Sequence, residues 1–84
     1  RAILVLENLE PEAGHDFELW AIRGAGPRSL GVIEVDGGRA VVRLPRGDDP
    51  DDLSAFAVSY ESEGGSPDPA APVGPVVMVG ALSI

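Results

Sequence analysis

Glycine and proline interrupt this chain so often that only short structural elements fit between them. Its 84 residues include eleven Gly and eight Pro, which divide the apolar residues into short segments. None of these segments keeps the i, i+3, i+4, i+7 spacing of an amphipathic helix, and their alternation is closer to a period of two, which is typical of strands. The sequence therefore predicts an all-β fold.

Six short segments rich in Val, Ile, Leu or aromatic residues are predicted to be strands. They comprise residues 2–6, 17–22, 30–35, 39–44, 55–60 and 76–82. A chain of this length holds one modest core, so we expect residues 1–84 to form a single domain. The fold class that we predict is a small antiparallel β-sandwich or a partly open barrel.

A tight hairpin is predicted at Asp36-Gly37-Gly38-Arg39, because two glycines accept the positive φ values that a two-residue turn demands. In this register Val35 lies opposite Ala40, Ile33 opposite Val42 and Gly31 opposite Leu44. Arg39 and Arg43 are then expected to be solvated partners of Asp36 and Glu34. The two flanking segments are thus predicted to be neighbouring strands.

The charge and residue types exclude several functional classes. Six Arg and fourteen Asp plus Glu give a net charge of −8, which opposes binding to nucleic acid or to anionic membrane surfaces. The absence of Cys removes disulfides, thiolate zinc sites and cysteine nucleophiles. The longest apolar stretch at the start, Ala2–Leu6, is far shorter than the roughly 18 to 20 residues that cross a bilayer.

No catalytic, cofactor or metal site is predicted. His15-Asp16 has no second His or Cys to complete a transition-metal site, and a turn before a strand explains it better. The acidic run Asp48–Asp52 does not have the spacing of an EF-hand. Two interpretations of it remain open: a solvated turn, which includes one helical turn as a connector, or a weak calcium contact. The Ser residues lack a nearby base, and we expect the domain not to be an enzyme.

Trp20 allows two interpretations. Alternation in Phe17–Ile22 sends Phe17 and Leu19 to one face and Trp20 to the other, so both faces of this strand carry bulky side chains. Trp20 is either part of a core whose second face is covered, or an exposed platform for a ligand such as a carbohydrate. The two readings differ in the solvent exposure of the indole ring.

A long Pro/Gly strap, residues 61–75, precedes the last predicted strand. It contains four prolines and is longer than usual connections, which favours an extended path and often indicates function. We predict either that the strap crosses from one sheet to the other, or that it is an exposed segment for recognition or cleavage.

Two strings of this sequence occur in a recognisable order. Phe17-Glu18-Leu19-Trp20 follows a turn with Glu10-Pro11 and Gly14, and the later string runs from Glu61 to Pro75 with Gly-Gly-Ser-Pro near its centre. Together they resemble the C-terminal, extracytoplasmic domain of the anti-sigma-K factor (RskA-type) family over nearly the whole chain. The residues that carry the resemblance are Phe17, Leu19, Trp20, Glu61, Gly64, Gly65, Ser66, Pro67, Pro69, Gly74 and Pro75.

The resemblance implies a bacterial, single-pass membrane anti-sigma factor and structural or regulatory roles for these motif residues. The sigma factor, of the extracytoplasmic-function class, would be sequestered by a cytoplasmic domain absent from this chain and released after regulated proteolysis. This chain would lie outside the cell membrane, in the periplasm or cell wall, tethered by an absent transmembrane helix and exposed to a protease or signalling protein. Family members usually carry strands before the position of Arg1, so we expect N-terminal strands to be missing.

Two other functions are kept as alternatives. One is an extracellular ligand-binding β-sandwich module of the carbohydrate-binding type, which requires an exposed Trp20. The other is a small acid/base hydrolase, which requires two carboxylates that converge in a cleft.

Overall fold

The computed structural model describes residues 3–24, 26–43 and 53–81, and the described residues form six strands. The strands are β1 Ile3–Leu6, β2 His15–Arg23, β3 Gly26–Ile33, β4 Ala40–Arg43, β5 Leu53–Ser62 and β6 Val76–Ala81. The predicted all-β class and number of strands are confirmed. Within the described ranges there is no helix that could cross a membrane. The acidic run Asp48–Asp52, with its predicted helical turn and open calcium question, lies outside the described residues.

The six described strands form two antiparallel sheets and no closed barrel. The larger sheet has the order β3-β2-β5-β6, and β1 pairs with β4 in the smaller one. In the larger sheet β2 is central, since Phe17 lies opposite Ile33 of β3 on one side and Tyr60 of β5 on the other. Of the two predicted architectures, the structure is the sandwich-like one.

The main apolar core lies between the two sheets. One face of the larger sheet, called the core face here, supplies Phe17, Leu19, Ala21, Ile33, Phe56 and Val58. Leu4 and Leu6 of β1, Ala40 and Val42 of β4, and the fully buried Leu9 complete the cluster from the other side. Alternation along each strand therefore explains why the sheets stack.

The turn at Gly37-Gly38 is confirmed, but the strand pairing predicted around it is wrong. Asp36 and Arg39 exchange backbone hydrogen bonds of 2.9 and 3.1 Å, with φ values of +62° and +79° at the two glycines. The pairing stops there, because β3 pairs with β2 while β4 pairs with β1. The turn thus lies where the chain passes from one sheet to the other, and this path lets β4 help cover the core face.

The side chains near this turn also differ from the predicted pairs. The Arg39 Nε atom lies 4.0 Å from Glu7 Oε1, and both side chains are exposed, so this ion pair adds little stability. Ile33 lies opposite Phe17, and Val42 lies opposite Leu4. Leu44 and the Arg43 side chain lie outside the described residues.

One prediction for the strap was that it crosses from one sheet to the other. This prediction is wrong, because the strap begins and ends in the larger sheet. β5 takes in Glu61 and Ser62, so in the structure the strap comprises residues 63–75. It leaves β5, passes over β2 to reach β3, and returns to β6, which is the neighbour of β5 in the same sheet. The strap thereby covers the second face of the larger sheet, called the strap face.

Trp20 lies on the strap face and is completely buried, with 0% exposure. Its indole Nε1 donates a 2.8 Å hydrogen bond to Ser59 Oγ on the neighbouring strand. This confirms the core interpretation of Trp20 and overturns the exposed-platform interpretation. The strap makes this burial possible, because the other sheet covers only the core face.

Replacing Trp20 with Ala is expected to lower the free energy of unfolding by about 3 to 5 kcal/mol, since the buried ring leaves a cavity and an unpaired Ser59. Urea unfolding followed by far-UV circular dichroism measures the change. Val41→Ala is the control, because Val41 is 62% exposed and its loss should change stability by less than about 0.5 kcal/mol. Equal stability of Trp20→Ala and the wild type would contradict the assignment.

Candidate functional site

The strap face carries an unusual row of acidic and hydroxyl side chains. Asp16 and Glu18 alternate with core residues on β2, and Ser59 and Glu61 do so on β5. The register places Asp16 opposite Glu61 and Glu18 opposite Ser59, so these four residues are direct or diagonal neighbours. Glu18, Ser59 and Glu61 are buried. Burial is uncommon for carboxylates such as those of Glu18 and Glu61, and it requires hydrogen-bond partners.

Three carboxylates of this row hold the strap by its backbone. The amide of Gly64 donates to Asp16 Oδ2 at 2.9 Å, and that of Ser66 donates to Glu18 Oε1 at 2.6 Å. The amide of Gly74 donates to Glu61 Oε1 at 2.8 Å. We call these three hydrogen bonds the carboxylate clasp. Hydrogen bonds to an ionised acceptor are stronger than neutral ones, so the clasp fixes both ends of the strap.

Glu18 connects three parts of the domain. Its Oε2 accepts a hydrogen bond from the Ser29 hydroxyl on β3, while its Oε1 holds Ser66 of the strap. The Ser29 hydroxyl also accepts the amide of Gly31 at 3.1 Å. Both oxygens of this buried carboxylate are therefore satisfied, and the strap, β2 and β3 meet at one side chain.

Glu61 is satisfied at only one oxygen. Oε1 accepts the Gly74 amide, but Oε2 is buried without a hydrogen-bond partner among the described residues. Next to it, the Tyr60 amide donates to Pro75 O at 2.9 Å, so the end of the strap is pinned to β5 over two residues. A Cβ atom added to Gly74 would lie 1.8 Å from Tyr60 O, which only a glycine avoids.

The Gly-Gly-Ser-Pro string shapes the near end of the strap. Gly64 and Gly65 have φ values of +95° and +89°, and a Cβ on Gly65 would come within 2.7 Å of Glu18 Oε1. Ser66 Oγ lies 2.7 Å from Ala71 O and accepts the amide of Asp68 at 3.1 Å. These contacts fold the middle of the strap into a compact loop. Glycine at positions 64 and 65 is thus a geometric requirement.

The middle of the strap reaches β3. Pro69 O accepts the amide of Ser29 at 2.9 Å, so a strap carbonyl binds the outer edge of the sheet. The segment from Pro67 to Ala70 is exposed on its other side.

The motif residues singled out in the sequence divide between the two faces. Phe17 and Leu19 belong to the core face, away from the strap. The structure brings the others together at the strap face or in the strap itself. These are Trp20, Glu61, Gly64, Gly65, Ser66, Pro67, Pro69, Gly74 and Pro75.

The sequence interpretation missed Asp16 and Glu18 as strap ligands and Ser29 and Ser59 as their neighbours. In the sequence, Glu18 was noted only as a member of the string Phe17-Glu18-Leu19-Trp20. One signal was present: Glu18 shares its face with Trp20, so a buried indole on that face would imply a buried carboxylate.

The turn predicted at His15-Asp16 lies just before these residues, because His15 and Asp16 are the first two residues of β2. The His15 amide donates to Glu12 O at 3.1 Å, and its ring stacks on Tyr60 with centroids 4.9 Å apart. The Tyr60 hydroxyl accepts the Glu12 amide at 2.8 Å. Within residues 3–24, 26–43 and 53–81, no group of three or more His, Asp or Glu side chains is arranged to hold a metal ion.

Comparison with protein families finds one that covers this arrangement of strands and strap. The model of the anti-sigma-K factor rskA C-terminal family matches residues 1–76, which include β1 to β5, the whole strap and the first residue of β6. The chain belongs to this family. The resemblance inferred from the two sequence strings is thereby confirmed. Membership of this family implies a regulatory function of the anti-sigma factor type, with a sigma factor as the partner. Comparison with curated proteins and with solved structures found no significant match.

Replacing Glu18 with Ala is expected to lower the free energy of unfolding by about 1 to 3 kcal/mol, because the Ser66 amide and the Ser29 hydroxyl lose their acceptor. Glu63→Ala removes the same charge from an exposed strap residue and should change stability by less than about 0.5 kcal/mol. Hydrogen exchange measured by NMR should show faster exchange of the Ser66 amide in Glu18→Ala alone. Equal protection of that amide in both variants would contradict the clasp.

Gly74→Ala is expected to displace the end of the strap and to cost about 3 kcal/mol, at the upper end of overpacking effects. Gly80→Ala makes the same change on β6, where an added Cβ meets nothing within 4 Å, and serves as the control. Thermal unfolding of the two variants gives the comparison. If Gly74→Ala melted at the temperature of Gly80→Ala, the close approach to Tyr60 would be refuted.

Proposed function

We propose that this chain is the extracytoplasmic regulatory domain of a single-pass membrane anti-sigma factor. In the proposed mechanism, a cytoplasmic domain outside this chain sequesters an extracytoplasmic-function sigma factor, and regulated proteolysis releases it. The observation that carries the proposal is the family match over residues 1–76. The strap geometry adds a physical means of regulation.

The clasp controls how accessible the strap is to a protease. A protease needs a segment that can leave its own structure and bind in extended form, whereas the strap amides at Gly64, Ser66 and Gly74 are held by sheet carboxylates. The exposed segment from Pro67 to Ala70 is thus presented at the surface but tied at both ends. A signal that weakens the clasp would free this segment for cleavage.

The proposed role is regulatory and not enzymatic. Asp16, Glu18 and Glu61 do gather on one face, as a hydrolase would require of its acids, but the strap covers them and each binds a backbone amide. The carbohydrate-binding alternative depended on an exposed Trp20 and loses its basis with the burial of that ring.

The location of the domain is tested in the parent protein by fusing reporters after Ile84. Alkaline phosphatase, which is active only outside the cytoplasm, should be active in such a fusion, and a green fluorescent protein fusion exported in unfolded form should be dark. The reverse pattern would place the domain in the cytoplasm and overturn the proposal.

Loosening the strap in the full-length protein is expected to raise cleavage and sigma-dependent transcription in the absence of signal. Glu18→Ala and Gly74→Ala are the loosening variants, and Glu63→Ala and Gly80→Ala are their matched controls. Immunoblots of the cleaved protein and a reporter driven by the sigma factor give the readouts. Strap variants that unlatch the strap without any change in cleavage would count against control of proteolysis by the clasp.

A further inference from the structure

The two outer edges of the larger sheet differ in how many of their backbone groups are already hydrogen-bonded. An edge strand exposes unpaired backbone groups, and stable soluble proteins usually protect it. In this sheet β3 forms one edge and β6 the other.

The β3 edge is blocked at every second residue. Pro27 has no amide hydrogen, the Ser29 amide donates to Pro69 of the strap, and the Gly31 amide donates to Ser29 Oγ. This edge offers no run of free donors to another strand.

The β6 edge has an open backbone. On β5, the Tyr60 amide points to Pro75, so by alternation the amides of Val58 and Phe56 also point toward β6. Their partners Met78 and Gly80 point back, and the backbone N–H and C=O of Val79 therefore point outward. No described strand pairs with that side.

The side chains of this edge are apolar and exposed. Val76 and Val77 are about half exposed and Val79 is 72% exposed. All fourteen acidic residues and all six Arg lie before Pro69, so β6 and the end of the strap carry no charge. An uncharged, Val-rich edge without proline is the type that joins another strand.

We propose that β6 is a self-association edge, which pairs antiparallel with β6 of a second copy of this chain. A two-fold axis at Val79 lets the two Val79 residues exchange both N–H···O bonds and joins the two larger sheets into one. The lack of charge on β6 is the reason for choosing a second copy as the partner. An edge without charged side chains has no electrostatic attraction for an acidic or a basic strand, whereas a second β6 is an equally uncharged, apolar strand. The inference goes beyond the proposed function and does not depend on it.

Charge substitution at Val79 tests both the surface and its symmetry. The two-fold axis places the Val79 side chains directly opposite each other, so Val79→Lys and Val79→Glu should each raise the dimer dissociation constant by about tenfold or more. An equimolar mixture of the two variants should recover association, because opposite charges then face each other. Val41→Lys, at a similarly exposed valine of the smaller sheet, is the control and should dimerise like the wild type.

Sedimentation velocity over a range of concentrations gives the association, and circular dichroism confirms that each variant is folded. Hydrogen exchange of the Val79 amide should slow as the wild-type concentration rises, while added salt should strengthen association between two domains of charge −8. Val79→Pro, which removes only an outward donor, should remain folded and monomeric. A wild type that stays monomeric at every concentration, or a mixture that fails to recover association, would overturn the proposal.

Discussion

The rest of the domain depends on hydrogen bonds between backbone amides of the strap and carboxylates of the sheet. A sheet in a domain this small has two faces to cover, and the two-stranded sheet covers only one. The strap has too few large apolar side chains to cover the other face by hydrophobic burial alone. Asp16, Glu18 and Glu61 supply the missing attachment, and with the strap in place Trp20 is removed from water.

Much of the fold was predictable because the positions of strands and turns depend on local sequence patterns. Period-two alternation located all six strands to within a few residues, and paired glycines located the turn at 37–38. The partner of each strand was not predictable in the same way. The turn chemistry favoured pairing of β3 with β4, but burial of the core face requires β4 beside β1, and only the whole chain decides between them.

Of the candidate site, the strap could be predicted from the sequence, but the carboxylates that bind it could not. The strap and its Gly-Gly-Ser-Pro string were evident, because glycine and proline restrict the backbone wherever they stand. Glu18 and Asp16 were not evident, since an acidic residue in an alternating strand usually faces water. Both carboxylates bind a segment 48 positions away in the chain, and no local pattern encodes a contact of that range.

The return of the strap to the neighbouring strand decides what a break in the strap would leave behind. A single cut between Ser66 and Gly74 would break the only covalent link between β6 and the rest of the domain, while the ladder with β5 and the Glu61 bond to Gly74 stay intact. The product would be a two-chain complex rather than an unfolded domain. Its last strand would be a bound peptide, with its own off-rate, that another extended segment could displace.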